Sequence, residues 1–288
     1  RLNFLGKLSD PYYRVSTMMF SKSYDFIQGD SPLLVSMPHS GLQLTPQVAN
    51  TLVPEALALP DTDWHIPKLY DFLGSMNVSV LQANYSRYVI DLNRPKDDKP
   101  LYSGKTTGLF PHISFNEKPL FVQGAPVDKA YQQACIEQIW WPYHQQLTQE
   151  LARIKQKFGY AILFDAHSVK AQVPMFFQGT LPDFNLGTND GASCASKLLH
   201  AAQKSLLNSA YSQVSNGRFK GGHITRSHGQ PIHQIHAFQL ELSQATYMHD
   251  KDIYSLDSHK CAEVIPQLKK LIEENVKIPI VNPFTTND

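Results

Sequence analysis

Two histidines in this sequence each follow an apolar run of the kind that forms a buried strand, and each is followed directly by a serine. His39 comes after residues 33–37, and His167 comes after residues 160–164. Because loops at the carboxyl ends of strands build the ligand crevice of open α/β sheets, the two imidazoles could share one site. Imidazole nitrogen is a common zinc ligand, so a shared metal site is one interpretation. The alternative for either histidine alone is a role in capping a turn.

Acidic side chains lie where they could serve such a site. Asp61 and Asp63 precede a helical pattern, and Asp61 fits a helix cap because carboxylate oxygens accept free backbone N–H groups. Asp63 could instead supply a carboxylate ligand. Asp165 lies two residues before His167, so on a strand both side chains point the same way and Asp165 could orient an imidazole.

Three charged residues are associated with apolar runs. Glu241 interrupts the run 238–242, and burying an ionised carboxylate is costly unless a cation or a proton compensates it. It is therefore either a general base beside a metal, or a partner in a salt bridge, or a residue of an edge strand. Arg87 and Arg94 flank the run 88–92 and could bind carboxylates with two parallel hydrogen bonds, unless they are ordinary surface arginines.

A glycine-flanked segment, residues 221–229, contains a further candidate. Arg226 in this segment could contact a second acidic group on a substrate. Four histidines lie within or close to the segment and suggest a second metal site: His223, His228, His233 and His236. Their spacing matches no helical ligand pair, so we interpret them as structural residues.

The elements that must position these residues alternate along the chain. Strand-like runs occupy residues 33–37, 78–81, 88–92, 160–164 and 238–242. Helical patterns cover residues 63–72, 128–158 with an interruption at Pro142, 191–207 and 258–276. This alternation predicts an α/β fold with a central sheet flanked by helices. Two irregular stretches, 93–128 and 174–190, follow strand-like runs and are expected to line the crevice. We expect a single domain over residues 1–288.

Composition narrows the classes of function. The formal net charge is +1 and there is no basic run, which argues against nucleic-acid binding. Apolar stretches are too short to cross a membrane, and the first twenty residues do not resemble a signal peptide. The three cysteines are far apart and lack C-x-x-C spacing, which fits a cytoplasmic protein and argues against a thiolate zinc site. A small acidic molecule is the expected substrate, and the oligomeric state is not predicted.

Eight motifs in order, spread over most of the chain, resemble the N-formylglutamate deformylase family of histidine degradation. They read PHSG, DTDWH, SRYVIDLNRP, LYSGKTTGLFP, FDAHSVK, LPDFNLGTNDG, GGHITRSHGQP and HAFQLELSQATYM. The resemblance implies a phosphorylase/hydrolase-like α/β fold with a central mixed sheet. It also implies a metal-dependent hydrolase that acts on N-formyl-L-glutamate in the last step of that route.

The chain also resembles, more distantly, the zinc carboxypeptidases and aspartoacylases. Those enzymes use two histidines and one acidic residue as ligands, an Asn-Arg pair for the substrate carboxylate and a strand glutamate as base. Their acidic ligand is a glutamate three residues after the first histidine, where this chain has Leu42. The acidic ligand must come from elsewhere, and we predict Asp63, with Asp61 as the alternative.

These resemblances together imply a set of roles. Zn²⁺, or another divalent metal, would be bound by His39, Asp63 and His167. The expected general base is Glu241, and the expected oxyanion donor is Arg87. The expected substrate-binding residues are Asn93, Arg94 and Arg226. The alternatives are another zinc-dependent N-acyl amino-acid deacylase or carboxypeptidase-like hydrolase, and a binding protein that has lost catalysis.

Overall fold

A mixed sheet of seven strands forms the centre of the molecule. The computed structural model describes residues 14–15, 20–101, 105–123, 128–249 and 254–280. From one edge to the other, the strands are β2 (Tyr24–Ile27), β5 (Ser79–Ala83), β3 (Leu33–Met37), β6 (Ala161–Val169), β9 (Ile235–Ser243), β7 (Phe184–Gly187) and β8 (Gln213–Ser215). Two further short strands, β1 (Arg14–Val15) and β4 (Gln43–Leu44), pair with each other in parallel.

The four central strands run parallel. β3 pairs with β5 and β6, and β6 pairs with β9 over its whole length. β2 is antiparallel to β5, and β7 is antiparallel to β9. Every residue of β3 and β6 is buried, as expected for strands that helices cover on both faces. The predicted α/β class with a central mixed sheet is confirmed.

Helices surround this sheet. They are α1 (Pro46–Ala49), α2 (Pro54–Leu57), α3 (Ile66–Leu69), α4 (Lys129–Cys135), α5 (Trp141–Phe158), α6 (Ser196–Leu206), α7 (His223–His228) and α8 (Ser258–Val276). Short 3₁₀ turns occupy Asp71–Met76, Pro231–His233 and Gln244–Thr246. Within the part of the chain that the structure describes, no helix combines the length and apolarity that a membrane span requires.

Four of the five predicted strands are confirmed, and they correspond to β3, β5, β6 and β9. The prediction of a strand over residues 88–92 is wrong. That segment begins with a turn in which the Val89 N–H donates to Ser86 O, and the Asp91 N–H then donates to Leu109 O, outside any sheet. The segment is apolar because it is buried in the core: Val89 and Ile90 are each only 1% exposed. Burial, rather than pairing in a sheet, explains the hydrophobic pattern.

The predicted interruption near Pro142 takes the form of a π-helical turn. Residues Ile136–Trp140 form this turn between α4 and α5. Pro142 is the second residue of α5 and has no N–H to donate to the preceding turn, so the wider π-helical turn forms just before it. The helical path continues from α4 into α5 through this turn, because Cys135, Trp140 and Trp141 all keep right-handed helical backbone angles.

A second hydrophobic cluster lies apart from the main core. It comprises Phe115, Val169, Val173, Met175 and Leu181, with Phe176 and Phe219 among the partly buried residues packed against it. Most of these residues come from the two irregular stretches of the sequence. The loops beside the site are therefore ordered by a core of their own. The single-domain prediction covers residues 1–288 and includes ends that lie outside the described residues, as do residues 102–104 of the LYSGKTTGLFP motif.

Candidate active site

Three adjacent strands bring the principal candidates to one edge of the sheet. His39 lies two residues after the end of β3, His167 lies in the last third of β6, and Glu241 lies in β9. His167 and Glu241 are direct neighbours in the pairing of β6 with β9. Because these strands are parallel, the three side chains converge at their carboxyl ends, where α/β sheets bind ligands.

His39, Asp63 and His167 form a buried group with the residue composition of a metal site, and we call these three residues the metal group. One ligand atom from each residue lies within 4.8 Å of the other two. Asp63 Oδ2 is 3.0 Å from His167 Nδ1 and 3.7 Å from His39 Nδ1. The Asp63 N–H donates to His39 O at 3.1 Å, which ties the loop after β3 to the loop that contains Asp63.

The outer nitrogens of both imidazoles face carboxylates. His39 Nε2 lies 2.7 Å from Asp91 Oδ1, and His167 Nε2 lies 3.0 Å from Asp165 Oδ2. The Asn93 amide lies beside the same nitrogen of His167, at 2.9 Å. Metal-ligating histidines commonly have such outer carboxylates, which fix the ring and leave the inner nitrogen to the ion. The orienting role considered for Asp165 thus has the geometry that it needs.

The electrostatic field at His167 favours positive charge, whereas burial and the nearby Arg87 lower the pKa of His39. Burial lowers the pKa of His167, but Asp165 and Asp63 outweigh it and hold that pKa well above its usual value. Burial likewise raises the pKa of Asp91, yet His39 and Arg87 bring it well below its usual value. A site that holds a proton on an imidazole between two carboxylates has the charge to bind a cation in its place.

The donor set therefore fits a divalent ion. Four buried carboxylates lie at the site, Asp63, Asp91, Asp165 and Glu241, against the two guanidinium groups of Arg87 and Arg94. Two imidazole nitrogens and one carboxylate oxygen are the ligand types that zinc accepts at catalytic sites.

Glu241 lies beside the metal group without belonging to it. It is 8% exposed and lines the same cavity as His39, Asp63 and His167. Burial raises the pKa of Glu241 to about 8, and the neighbouring Asp63 adds to the rise while His167 opposes it. A carboxylate in this position can exchange a proton with a water molecule in the cavity.

Arg87, Asn93 and Arg94 also line the cavity. Arg87 Nη2 donates to Asp91 Oδ2 at 2.6 Å, and its guanidinium lies 4.7 Å from the centroid of the Phe115 ring. Arg94 Nε is 4.0 Å from the same Asp91 oxygen. Arg87 is thus held in place before any ligand arrives, whereas Arg94 makes only a longer electrostatic contact with Asp91.

Arg226 lies elsewhere. It is on α7, its Nε donates to Gly221 O at 2.7 Å, and it is not among the described residues that line the cavity. Lys105 and Arg218 are cationic lining residues that the sequence did not single out. Lys105 is largely exposed and pairs with Glu117, whereas Arg218 is half-buried.

Asp61, the alternative acidic ligand, has other partners. Its Oδ2 accepts hydrogen bonds from Tyr88 Oη at 2.8 Å and from the Phe115 N–H at 2.9 Å. It caps no described helix, since the residue before α3 is His65. Asp61 therefore positions Phe115, which lines the cavity. Asp63 is the aspartate that faces the histidines.

The histidines of the glycine-flanked segment lie around a different surface cavity. His223 and His228 line it together with His144, whose Nδ1 is 3.5 Å from His228 Nε2. His144 Nε2 also donates to Leu92 O at 2.9 Å, next to Asn93. Among the described residues, these histidines do not form a group of three with ligand atoms close enough to hold an ion.

Sequence reasoning missed Asp91, although its sequence offered one clue. Asp91 is a charged residue inside an apolar run, the same pattern that singled out Glu241. Its contact with His39 joins residues 52 positions apart, which no local pattern predicts.

The cavity in front of these residues is small. Its volume, counted as the space that the centres of water molecules can occupy, is about 90 Å³. A single water molecule needs about 10–15 Å³ of such space. The cavity has room for a small organic molecule. Its lining combines the buried metal group with guanidinium groups and aromatic rings.

Known proteins with similar sequences share this region. Two N-formylglutamate deformylases, from Pseudomonas putida and Pseudomonas aeruginosa, are each 51% identical, over 88% and 86% of this chain and 95% and 94% of their own lengths. A crystal structure of an N-formylglutamate amidohydrolase from Ralstonia eutropha has a TM-score of 0.76 at 22% identity, and covers 88% of this chain and 98% of its own. An Agrobacterium tumefaciens protein has a TM-score of 0.68 at 15% identity, covering 89% and 95%.

The two solved structures establish that the fold is shared, whereas the sequence comparison identifies the family. Residues 31–248 match the N-formylglutamate amidohydrolase family profile, and this range contains every residue of the site described above. The confirmed resemblance thus covers β3 through β9, the elements that position the metal group and Glu241. The chain belongs to the N-formylglutamate amidohydrolase family.

Proposed function

We propose that this protein hydrolyses N-formyl-L-glutamate to formate and L-glutamate with one bound divalent ion, zinc by preference. The observation that carries the proposal is the metal group of His39, Asp63 and His167. Carboxylates contact the outer nitrogens of both histidines, and the group lines a small cavity that also contains arginine side chains. The names of the relatives at 51% identity support the substrate. Guanidinium groups in the lining suit an acidic substrate.

The ion would be held by His39 Nδ1, His167 Nδ1 and Asp63 Oδ2, because these atoms face one another. When bound, zinc supplies Lewis-acid chemistry, which lowers the pKa of water and polarises a carbonyl group. Asp91 and Asp165 keep the two imidazoles oriented for that role.

The side chains around the ion divide the remaining work. Glu241 takes a proton from the attacking water, whose oxygen bonds to the formyl carbon. Arg87 donates hydrogen bonds to the oxygen that gains negative charge. Glu241 then returns the proton to the amide nitrogen as the carbon–nitrogen bond breaks, which leaves formate and the free amine. Asn93 and Arg94 bind the substrate α-carboxylate.

We further propose that the reaction is the last step of a histidine degradation route and takes place in the cytoplasm. The route follows from the family resemblance. The location is supported by Cys135, Cys194 and Cys261, which are buried and free of disulfides.

A formate-release assay tests this proposal. Purified protein stripped with a chelator should release no formate from N-formyl-L-glutamate, and one equivalent of Zn²⁺ should restore activity. Glu241→Gln should keep the ion and lose about 10²–10⁴-fold in turnover, the usual contribution of a general base. Release of acetate from N-acetyl-L-glutamate at an equal rate would instead indicate a broader N-acyl deacylase. Full activity without any metal would refute the proposal.

A further inference from the structure

A further guanidinium group, that of Arg218, lines the cavity and has no part in the proposed mechanism. Phe115 lies under the Arg87 guanidinium and packs edge-on against Phe176, with 4.8 Å between ring centroids. Arg218 lies 5.6 Å from the centroid of the Phe176 ring. An aromatic pair thus separates two guanidinium groups, and all four side chains line one cavity.

Arg218 is held firmly in place. Its Nε donates to Phe176 O at 2.5 Å, and its guanidinium also lies 5.6 Å from the Phe219 ring. Aromatic faces attract a cation and exclude water, which strengthens the pairing of that cation with an anion. Because the side chain is fixed beforehand, little conformational entropy is lost when a carboxylate binds.

Two parts of the cavity are built by different packing units. The metal group lies on strands of the main core, whereas Phe115, Phe176 and Phe219 belong to the second hydrophobic cluster. A ligand that binds at the metal group and at Arg218 would contact both units.

The chemistry of an N-formyl diacid matches this layout. Its α-carboxylate is attached to the carbon next to the amide nitrogen, so it must bind close to the reacting groups, where Arg94 lies. Its side-chain carboxylate is two methylene groups farther away. We infer that Arg218 binds the side-chain carboxylate and selects diacid substrates over their neutral analogues, an inference that rests on the proposed function.

The same layout removes Arg226 from that role. Arg226 is directed to the Gly221 carbonyl and does not line the cavity, so it stabilises the start of α7. It provides a matched control, an arginine eight positions away in the same part of the chain.

The test compares Arg218→Met and Arg226→Met on N-formyl-L-glutamate and N-formyl-L-glutamine. Arg218→Met should lower kcat/KM for the diacid by about tenfold or more, as expected when a charge-assisted hydrogen bond from a half-buried arginine is lost, and should change the glutamine analogue little. Arg226→Met should affect both substrates alike. Equal losses on both substrates for Arg218→Met, or a selective loss for Arg226→Met, would overturn the inference.

Two further measurements keep the test decisive. If Arg218→Met does not fold, Arg218→Lys retains the charge without the planar two-donor fork and should show a smaller loss that is still selective for the diacid. If the wild-type protein does not hydrolyse N-formyl-L-glutamate, calorimetry with L-glutamate and L-glutamine isolates the subsite from the reaction. A preference for L-glutamate that disappears in the Arg218 variant supports the inference, whereas equal binding of both amino acids by the wild type refutes it.

Discussion

Replacing Asp91 with asparagine should weaken metal binding although Asp91 touches no metal. The carboxylate is fully buried and accepts short hydrogen bonds from His39 Nε2 at 2.7 Å, Arg87 Nη2 at 2.6 Å and the Asn93 N–H at 2.9 Å. Asparagine has nearly the same shape but no charge. The substitution therefore turns one accepting oxygen into an NH₂ group that faces a donor, so the contacts of that oxygen are lost and the remaining contacts lose their charge assistance.

The magnitude follows from the contact with His39. Loss of an outer carboxylate typically lowers metal affinity about 10–100-fold, which corresponds to about 1.4–2.7 kcal/mol. Arg87 loses its closest counter-charge at the same time, so the unfolding free energy should fall as well, by about 1–3 kcal/mol. Metal affinity and folding stability should therefore decline together.

The assay is competition for Zn²⁺ against a chromophoric chelator. Asp61→Asn is the matched control, because Asp61 is also a buried carboxylate with two hydrogen bonds but none to a histidine. We expect it to keep wild-type metal affinity. An Asp91→Asn protein that is folded and binds zinc as tightly as wild type would refute the reasoning, and so would an equal loss in the Asp61 variant.

Two further predictions concern the surroundings of the site. Trp140→Phe removes the indole donor that holds Arg94 O at 2.9 Å but keeps an aromatic ring. It should raise KM for N-formyl-L-glutamate more than it lowers kcat, whereas Trp141→Phe at an exposed position should change neither. Burial lowers the pKa of His236 to about 4, so the unfolded chain binds more protons as the pH falls from about 6.5 to 4. His236 alone should lower the unfolding free energy by about 2 kcal/mol over that window, so His236→Asn should make the pH-dependent loss of stability smaller in denaturant titrations; an unchanged loss would contradict the assignment.

Local patterns were sufficient to predict the residues at strand ends. An apolar run long enough to form a buried strand, followed by a polar residue, places that residue at the ligand-binding edge of a parallel sheet. His39 and His167 were found in this way. Glu241 was found because a charge within a buried strand needs a compensating partner. The α/β class followed from the same alternation of runs.

The remaining features depend on packing between distant segments. Asp91 belongs to a buried turn with the hydrophobic pattern of a strand, so sequence reasoning gave it the wrong element and no role. Arg218 lines the cavity because the neighbouring Phe219 packs against the second hydrophobic cluster, which lies beside the site. Neither the membership of that cluster nor the position of Arg226 outside the cavity is encoded in a local pattern.

The central claim is that His39, Asp63 and His167 hold one divalent ion. A crystal structure of the zinc-reconstituted protein, with anomalous data collected on both sides of the zinc absorption edge, tests it most directly. The account predicts one strong peak bonded to His39 Nδ1, His167 Nδ1 and an Asp63 oxygen, with Glu241 close by but not bonded to the ion. A peak between His144 and His228, and none at the three predicted ligands, would contradict it.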